Sequence, residues 1–201
     1  MKYECKTISK SVVDIIQKEK GSKFIGYAYY VRNEGDVKKR LEEIKSIHPS
    51  ATHHCYAYRL GFAGKKYRAN DDGEPNGTAG LPIYNQLLSF DYTFTLVVVV
   101  RYYGGTKLGV SGLIKAYKNC AEETLQNAKT KILEKKERHL LVFPYSSQGD
   151  AMRIIDRYNG DMLTQSYMAE CEIEVEVSKR KSKEFLEHLE AFQDIEIYEC
   201  D

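Results

Sequence analysis

The protein contains the sequence Phe94-Thr-Leu-Val-Val-Val-Val-Arg-Tyr-Tyr-Gly-Gly-Thr-Lys-Leu-Gly-Val-Ser-Gly112. Residues 94–100 are apolar and largely β-branched without polar alternation, which is typical of a strand buried on both faces of a sheet. From Val110 to Ala128, apolar residues recur at helical spacing. The sequence therefore predicts a buried strand, a glycine-rich loop and a long amphipathic helix in direct succession.

We call residues 101–112 the basic glycine-rich segment. A loop that opens a helix gathers free backbone N–H groups and the positive end of the helix dipole, which suits an anion such as phosphate. Charged, hydroxyl and tyrosine side chains there could contact phosphate or stack on unpaired bases. The spacing is neither Walker A nor dinucleotide-binding, and a tight structural loop explains the glycines equally well. The candidate anion or nucleic-acid residues are Arg101, Tyr102, Tyr103, Gly104, Gly105, Thr106, Lys107, Gly109, Ser111, Gly112, Lys115 and Lys118.

Residues 68–80 form a second candidate surface, the acidic glycine-rich segment, which leads into a short predicted helix with Thr78 as its N-cap. Its carboxylates could hold magnesium or orient a basic partner, although turn chemistry explains Asp-Asp-Gly equally well, and we predict neither metal nor cofactor. His53, on a predicted strand from His53 to Leu60, is expected to face this region as a hydrogen-bonding residue. The candidates are Arg68, Asp71, Asp72, Gly73, Glu74, Gly77, Thr78, Gly80 and His53.

The remaining patterns predict two domains of an α+β protein. Residues 1–136 read as strands around 12–31, a helix at 36–47, and the two glycine-rich segments, with 131–136 as a charged connection. Residues 137–201 read as strand, helix, strand, strand, helix, strand, the βαββαβ order of ferredoxin-like folds. In this second part Glu170, Glu172, Glu174 and Glu176 alternate with apolar residues, which predicts one acidic and one buried sheet face.

Charge is distributed unevenly between these parts. Residues 1–136 hold 23 Lys+Arg and 14 Asp+Glu, a net charge of +9, whereas residues 137–201 hold 7 and 15, a net charge of −8. A basic first domain favours an anionic partner.

The N-terminal residues lack the apolar core of a signal peptide, and the longest apolar run is too short to span a bilayer. Five scattered cysteines without Cys-x-x-Cys spacing argue against a disulfide framework and a structural zinc site. We therefore expect a cytoplasmic protein that does not interact with membranes.

Three blocks of sequence resemble the signature of the IMPACT family, in particular its bacterial YigZ-like members. The first block is Ala51-Thr-His-His-Cys-Tyr-Ala-Tyr. The second starts with Asp71-Asp-Gly-Glu-Pro-Asn-Gly-Thr-Ala-Gly, and the third starts with Val99-Val-Arg-Tyr-Tyr-Gly-Gly-Thr-Lys. The resemblance implies an N-terminal domain with a ribosomal-protein-like sheet and packed helices. It also implies a C-terminal domain similar to those of elongation factor G.

The resemblance further implies a translation-linked role, since eukaryotic relatives restrain an amino-acid-starvation kinase by competing for its activator. It supplies no catalytic residues. We predict a non-enzymatic protein that binds RNA, another nucleic acid, a ribosome-associated partner or a translation-related protein through the basic segment. The alternatives are a small-molecule hydrolase or phosphotransferase that uses the same loops, and a pure protein-interaction module.

Overall fold

The computed structural model describes residues 3–200. The chain divides into two compact units, and the division falls between Leu133 and Glu134. The first unit contains β1 (Glu4–Ile8), β2 (Val12–Glu19), β3 (Ser22–Tyr30), α1 (Glu34–Ile47), β4 (His53–Leu60), β5 (Lys66–Asn70), α2 (Gly80–Ser89), β6 (Thr95–Tyr102) and α3 (Gly109–Gln126). β7 (Thr130–Glu134), whose last residue lies beyond the division, pairs with β1 in a two-stranded sheet.

The main sheet of the first unit has the order β2-β3-β6-β4-β5, and all of its neighbouring strands are antiparallel. β6 lies at its centre, which explains its unbroken apolar sequence. Alternate residues of β6 face two different clusters. Val97 and Val99 pack with apolar residues of α2 and α3. Leu96, Val98 and Val100 pack with residues of α1 on the other face.

Three strands of the first unit differ from the sequence prediction. β1 and β7 were not predicted, and residues 66–70 form β5 where we expected a loop to begin at Arg68. β5 is a short edge strand with few buried side chains, so it lacks the apolar alternation that reveals a half-buried strand. β7 has no buried side chain and carries Lys131 and Glu134 among its five residues, so it reads as a charged connection.

The second unit contains β8 (Lys136–Phe143), a 3₁₀ turn (Tyr145–Ser147), α4 (Gln148–Arg157), β9 (Asp161–Tyr167), β10 (Cys171–Ser178), α5 (Ser182–Glu190) and β11 (Glu196–Cys200). This is the predicted βαββαβ order, and the antiparallel sheet runs β11-β8-β10-β9. Cys171, Ile173, Val175 and Val177 are buried with apolar residues of α4 and α5, while the alternating glutamates of β10 occupy the opposite face.

All five cysteines are free thiols. Among residues 3–200, no helix is both long and apolar enough to cross a membrane.

Candidate binding surface

A buried ion pair joins the two glycine-rich segments. Arg101 Nη1 lies 2.5 Å from Glu74 Oε1, and both side chains are almost fully buried. The Tyr117 hydroxyl donates to the same Glu74 oxygen over 2.8 Å, and His53 Nε2 lies 3.8 Å from it. A single carboxylate thus holds the end of β6, helix α3 and the acidic segment together.

Arg101 does not occupy the exposed position from which we expected it to contact phosphate. It is only 5% exposed, because it continues the alternation of Val97 and Val99 and therefore points toward α2 and α3. The position of Arg101 directly after an apolar run that is buried on both faces was the sequence signal for this burial. Its partner Glu74 lies 27 residues away in the chain and could not be assigned from spacing.

Tyr102 and Tyr103 have different environments. Tyr102 packs against the α1 side of the sheet, where its hydroxyl lies 2.9 Å from His48 Nδ1. Tyr103 follows the end of the strand, is 46% exposed, and its ring lies over the Arg101 guanidinium. Of the two predicted stacking surfaces, only the Tyr103 ring lies open to solvent.

Two glycines shape the loop for different reasons. A Cβ on Gly104 would collide with the backbone of Gly21, and its N–H donates to the Ser22 hydroxyl, so Gly104 is required for close packing on the β2–β3 turn. Gly109 has φ +70 with open space around its Cβ position, so it is required for backbone conformation at the start of α3. Ser22 was not recognised from the sequence, since it lies in another hairpin.

The N-terminal turn of α3 has no side-chain cap among the described residues, and Leu108 occupies the N-cap position. Ser111, Lys115 and Lys118 are exposed along one face of this helix, and Lys107 and Thr106 are exposed in the loop before it. None of these three lysines forms an ion pair with a carboxylate in residues 3–200. Unpaired cations therefore stand beside free backbone N–H groups.

The acidic segment satisfies its own backbone. Asp71 Oδ1 accepts from the N–H groups of Ala79 and Gly80, and Asp71 Oδ2 accepts from Gly77. The expected N-cap, Thr78, instead donates its hydroxyl hydrogen to the Pro75 carbonyl. That prediction was wrong because the capping carboxylate comes from eight to nine residues earlier, outside the usual capping pattern.

The other predicted residues of this segment do not form one site. Asp72 accepts from the His54 N–H over 2.6 Å, and its carbonyl lies 2.7 Å from His53 Nδ1. Gly73 and Gly77 have positive φ, as turns require. Arg68 is exposed on β5 beside α1, on the opposite side of the sheet from Glu74. In the described part of the chain, no cluster of three or more His, Cys, Asp or Glu side chains could hold a metal ion.

Two buried groups near Glu74 are poorly suited to nucleophilic or base catalysis. Burial raises the pKa of the Cys55 thiol far above its usual range, so the thiolate is not formed near neutral pH. Burial likewise raises the pKa of the Tyr117 hydroxyl. Both groups act as hydrogen-bonding core residues, and the Cys55 thiol donates to the carbonyl of Asp71.

A pocket with a volume of about 360 Å³ opens between the loop and the start of α3. Its wall is mainly apolar but includes the Arg101 and Glu74 pair and Lys107. Its lining residues are Glu74, Pro75, Arg101, Tyr103, Lys107, Leu108, Gly109, Val110 and Leu113.

Comparison with known proteins places this surface in a family. The model of the Impact N-terminal domain matches residues 20–125, which include both glycine-rich segments. The IMPACT family member YigZ of Escherichia coli is 30% identical over 187 residues, covering 92% of each chain. An IMPACT family member of Haemophilus influenzae is 31% identical over 184 residues, covering 90% of this chain and 89% of that protein.

The fold is also similar to a solved one. A crystal structure of a hypothetical protein is 27% identical, covers 100% of this chain and 99% of its own, and superimposes with a TM-score of 0.74. The family-model match, the two full-length relatives and the shared fold agree, and this chain belongs to the IMPACT family.

Proposed function

We propose that this protein is a non-enzymatic, translation-linked regulatory protein of the cytoplasm. It binds RNA or a ribosome-associated partner through the exposed part of the basic glycine-rich segment. The observation that carries this proposal is the set of three lysines without acidic partners, Lys107, Lys115 and Lys118, at the uncapped start of α3. Phosphate oxygens would satisfy both the ammonium groups and the free N–H groups.

The buried residues of the segment have a supporting role in this proposal. Arg101 holds Glu74 and lies beneath the Tyr103 ring, so it positions the loop instead of contacting the ligand. Tyr103 offers an exposed face on which an unpaired base stacks. We further propose that residues 137–201 form a ferredoxin-like domain related to the C-terminal domains of elongation factor G, on the support of the βαββαβ order and the β11-β8-β10-β9 sheet.

Salt dependence of binding to a fluorescent single-stranded RNA 20-mer tests the proposal. The log–log slope should be about −0.7 for each phosphate neutralised, and Lys107→Ala or Lys115→Ala should reduce that slope by roughly one phosphate's share each. Lys39→Ala is the matched control, because Lys39 is an exposed lysine of α1 on the other face of the sheet.

Tyr103→Ala should weaken binding by about 1–3 kcal/mol with an unchanged slope, as expected for a lost stacking contact. If the wild type shows no salt-sensitive RNA binding, or if Lys39→Ala has the same effect as Lys107→Ala, RNA is not the ligand of this surface. A protein-interaction module is then the better description.

A small-molecule enzyme is the second candidate, favoured by the pocket that has Glu74, Arg101 and Lys107 in its wall. It requires a phosphorylated compound to bind there and to be turned over. Saturable, Glu74-dependent hydrolysis of such a compound would favour this candidate over the binding role.

A further inference from the structure

The strand β9 forms an exposed edge of the sheet in the second unit. Within residues 3–200, β10 is the only strand that pairs with it, and all seven residues of β9 are exposed. Its register with β10 is regular from Thr164 to Tyr167. The register shifts between Met162 and Thr164. Unpaired N–H and C=O groups along such an edge form a template for another strand.

This edge lacks the usual protection against pairing. Residues 164–167 contain no proline and no charged side chain, and Asp161, the one charged residue of β9, is engaged by Lys136 at the irregular end. Natural edge strands are commonly protected by lysine, proline or a bulge. In β9 the bulge protects only one end, so residues 164–167 remain competent to pair.

An apolar surface borders the regular half of β9. Tyr167 lies opposite Cys171 and therefore on the helix-covered side of the sheet, and its ring centroid is 6.5 Å from that of Tyr145. The Tyr145 hydroxyl donates to the carbonyl of Met168, and Met168 is 81% exposed. Apolar side chains of an added strand would be covered by this surface.

The other side of the same edge is acidic. Glu172 and Glu174 lie opposite Ser166 and Thr164, on the face of the sheet away from the buried residues of β10. Glu172 is exposed and forms no ion pair with the described residues, whereas Glu174 is half-buried, accepts a hydrogen bond from the Thr164 hydroxyl over 3.3 Å and lies 3.9 Å from Arg138. Basic side chains of an added strand would be attracted by these carboxylates.

We propose that β9 is a docking site for an extended, basic segment of a partner protein, which adds a fifth strand beside residues 164–167. Main-chain hydrogen bonds supply affinity, and alternating basic and apolar side chains supply specificity. A second copy of the same edge is a poorer occupant, because residues 137–201 carry a net charge of −8 and two such units repel each other.

Binding of a fluorescein-labelled peptide, acetyl-(Lys-Val)₃-Lys-amide, to the full-length protein tests this site by fluorescence anisotropy. An acidic peptide with glutamate in place of lysine should not bind. N-methylation of one alternate set of amides should abolish binding while methylation of the other set preserves it, since alternate amides of an added strand face the sheet. Amide hydrogen exchange should slow in residues 164–167 when the peptide binds.

Ser166→Lys should weaken binding of the peptide by about tenfold, because it places a cation on the edge beside Glu172. Gln193→Lys is the matched control, because Gln193 is exposed in the turn after α5. This substitution adds the same charge to the same unit and should change the affinity for the peptide by less than about twofold. Melting temperatures of both variants establish that they are folded.

Several results would overturn the proposal. These are the absence of peptide binding, equal effects of Ser166→Lys and Gln193→Lys, equal binding of the two methylated peptides, and exchange protection outside β9. Concentration-dependent self-association that Ser166→Lys abolishes would assign the edge to a second copy instead.

Discussion

The acidic and basic glycine-rich segments both lead from a strand into a helix, yet they present opposite surfaces. At the start of α2, the Asp71 carboxylate accepts three backbone N–H hydrogen bonds, so the helix start is satisfied from within the chain. At the start of α3, no described side chain caps the helix, and exposed lysines surround it. The glycines before each helix therefore indicate where the backbone turns. The side chains nearby decide whether the N–H groups of the helix start are bonded within the chain or left available to a ligand.

The Glu74 and Arg101 ion pair connects the two segments, so a substitution in one of them can also affect the structure of the other. Within the basic glycine-rich segment Arg101 is buried, whereas Lys107, six positions later, is exposed and is one of the proposed binding residues. Substitutions in the two segments should consequently affect stability and binding to different degrees.

Arg101→Met should have the largest effect on stability. It leaves the Glu74 carboxylate buried without its cation, which typically costs about 3–5 kcal/mol. Urea unfolding of the full-length protein measures the loss. Lys107→Met is the matched control in the same segment and should change stability by less than about 0.5 kcal/mol. Equal stabilities of the two variants would show that the pair does not hold the segments together.

Asp71→Ala should come next, because two N–H groups at the start of α2 and that of Gly77 in the preceding turn lose a carboxylate acceptor. We expect a loss of about 2–3 kcal/mol in the free energy of unfolding. Ser111→Ala, in the first turn of α3, removes a hydroxyl that makes no capping bond and should cost about 0.5 kcal/mol or less. A Ser111→Ala loss as large as that of Asp71→Ala would mean that the two helix starts are closed alike.

Strong periodic patterns allowed most of the fold to be predicted. β4 runs from His53 to Leu60 as expected, and every element of the βαββαβ order is present. The short strands β1, β5 and β7 escaped because strand pairing, which connects distant residues, holds them in place more than their own apolar content does. The start of α1 at Glu34, two residues earlier than expected, follows from the Asn33 cap.

The candidate site was predictable in composition but not in geometry. The exposure of Lys115 and Lys118 follows from helix periodicity, which the sequence displays directly, whereas Lys107 lies in the loop before the helix. The burial of Arg101 depends on Glu74, Tyr117 and Phe24, which come from three other elements and meet only in the folded chain. The hydrogen bonds from Gly77, Ala79 and Gly80 to Asp71 could be predicted only from the path of the backbone through the turn, which the sequence does not give.

Acidification should have the smallest effect, and it should act on the acidic segment. His54 lies beside this segment. Its backbone N–H donates to the Asp72 carboxylate, and its ring Nε2 lies 3.1 Å from the His48 carbonyl oxygen. Burial lowers the pKa of His54, although the His48 carbonyl and Asp72 oppose that shift. The folded state therefore binds fewer protons than the unfolded state as the pH falls below about 6.5, the ordinary histidine value. Stability contributed by neutral His54 is present above that pH and is lost as the pH falls through it toward the lowered value. Burial also lowers the pKa of His48, so the losses of stability caused by the two histidines add.

Hydrogen exchange at pH 7.5 and 5.5, corrected for intrinsic rates, should show faster opening of residues 68–80 at the lower pH and a smaller change in residues 103–112. His54→Gln should remove part of this pH dependence, and an unchanged profile in that variant would assign the effect to other groups.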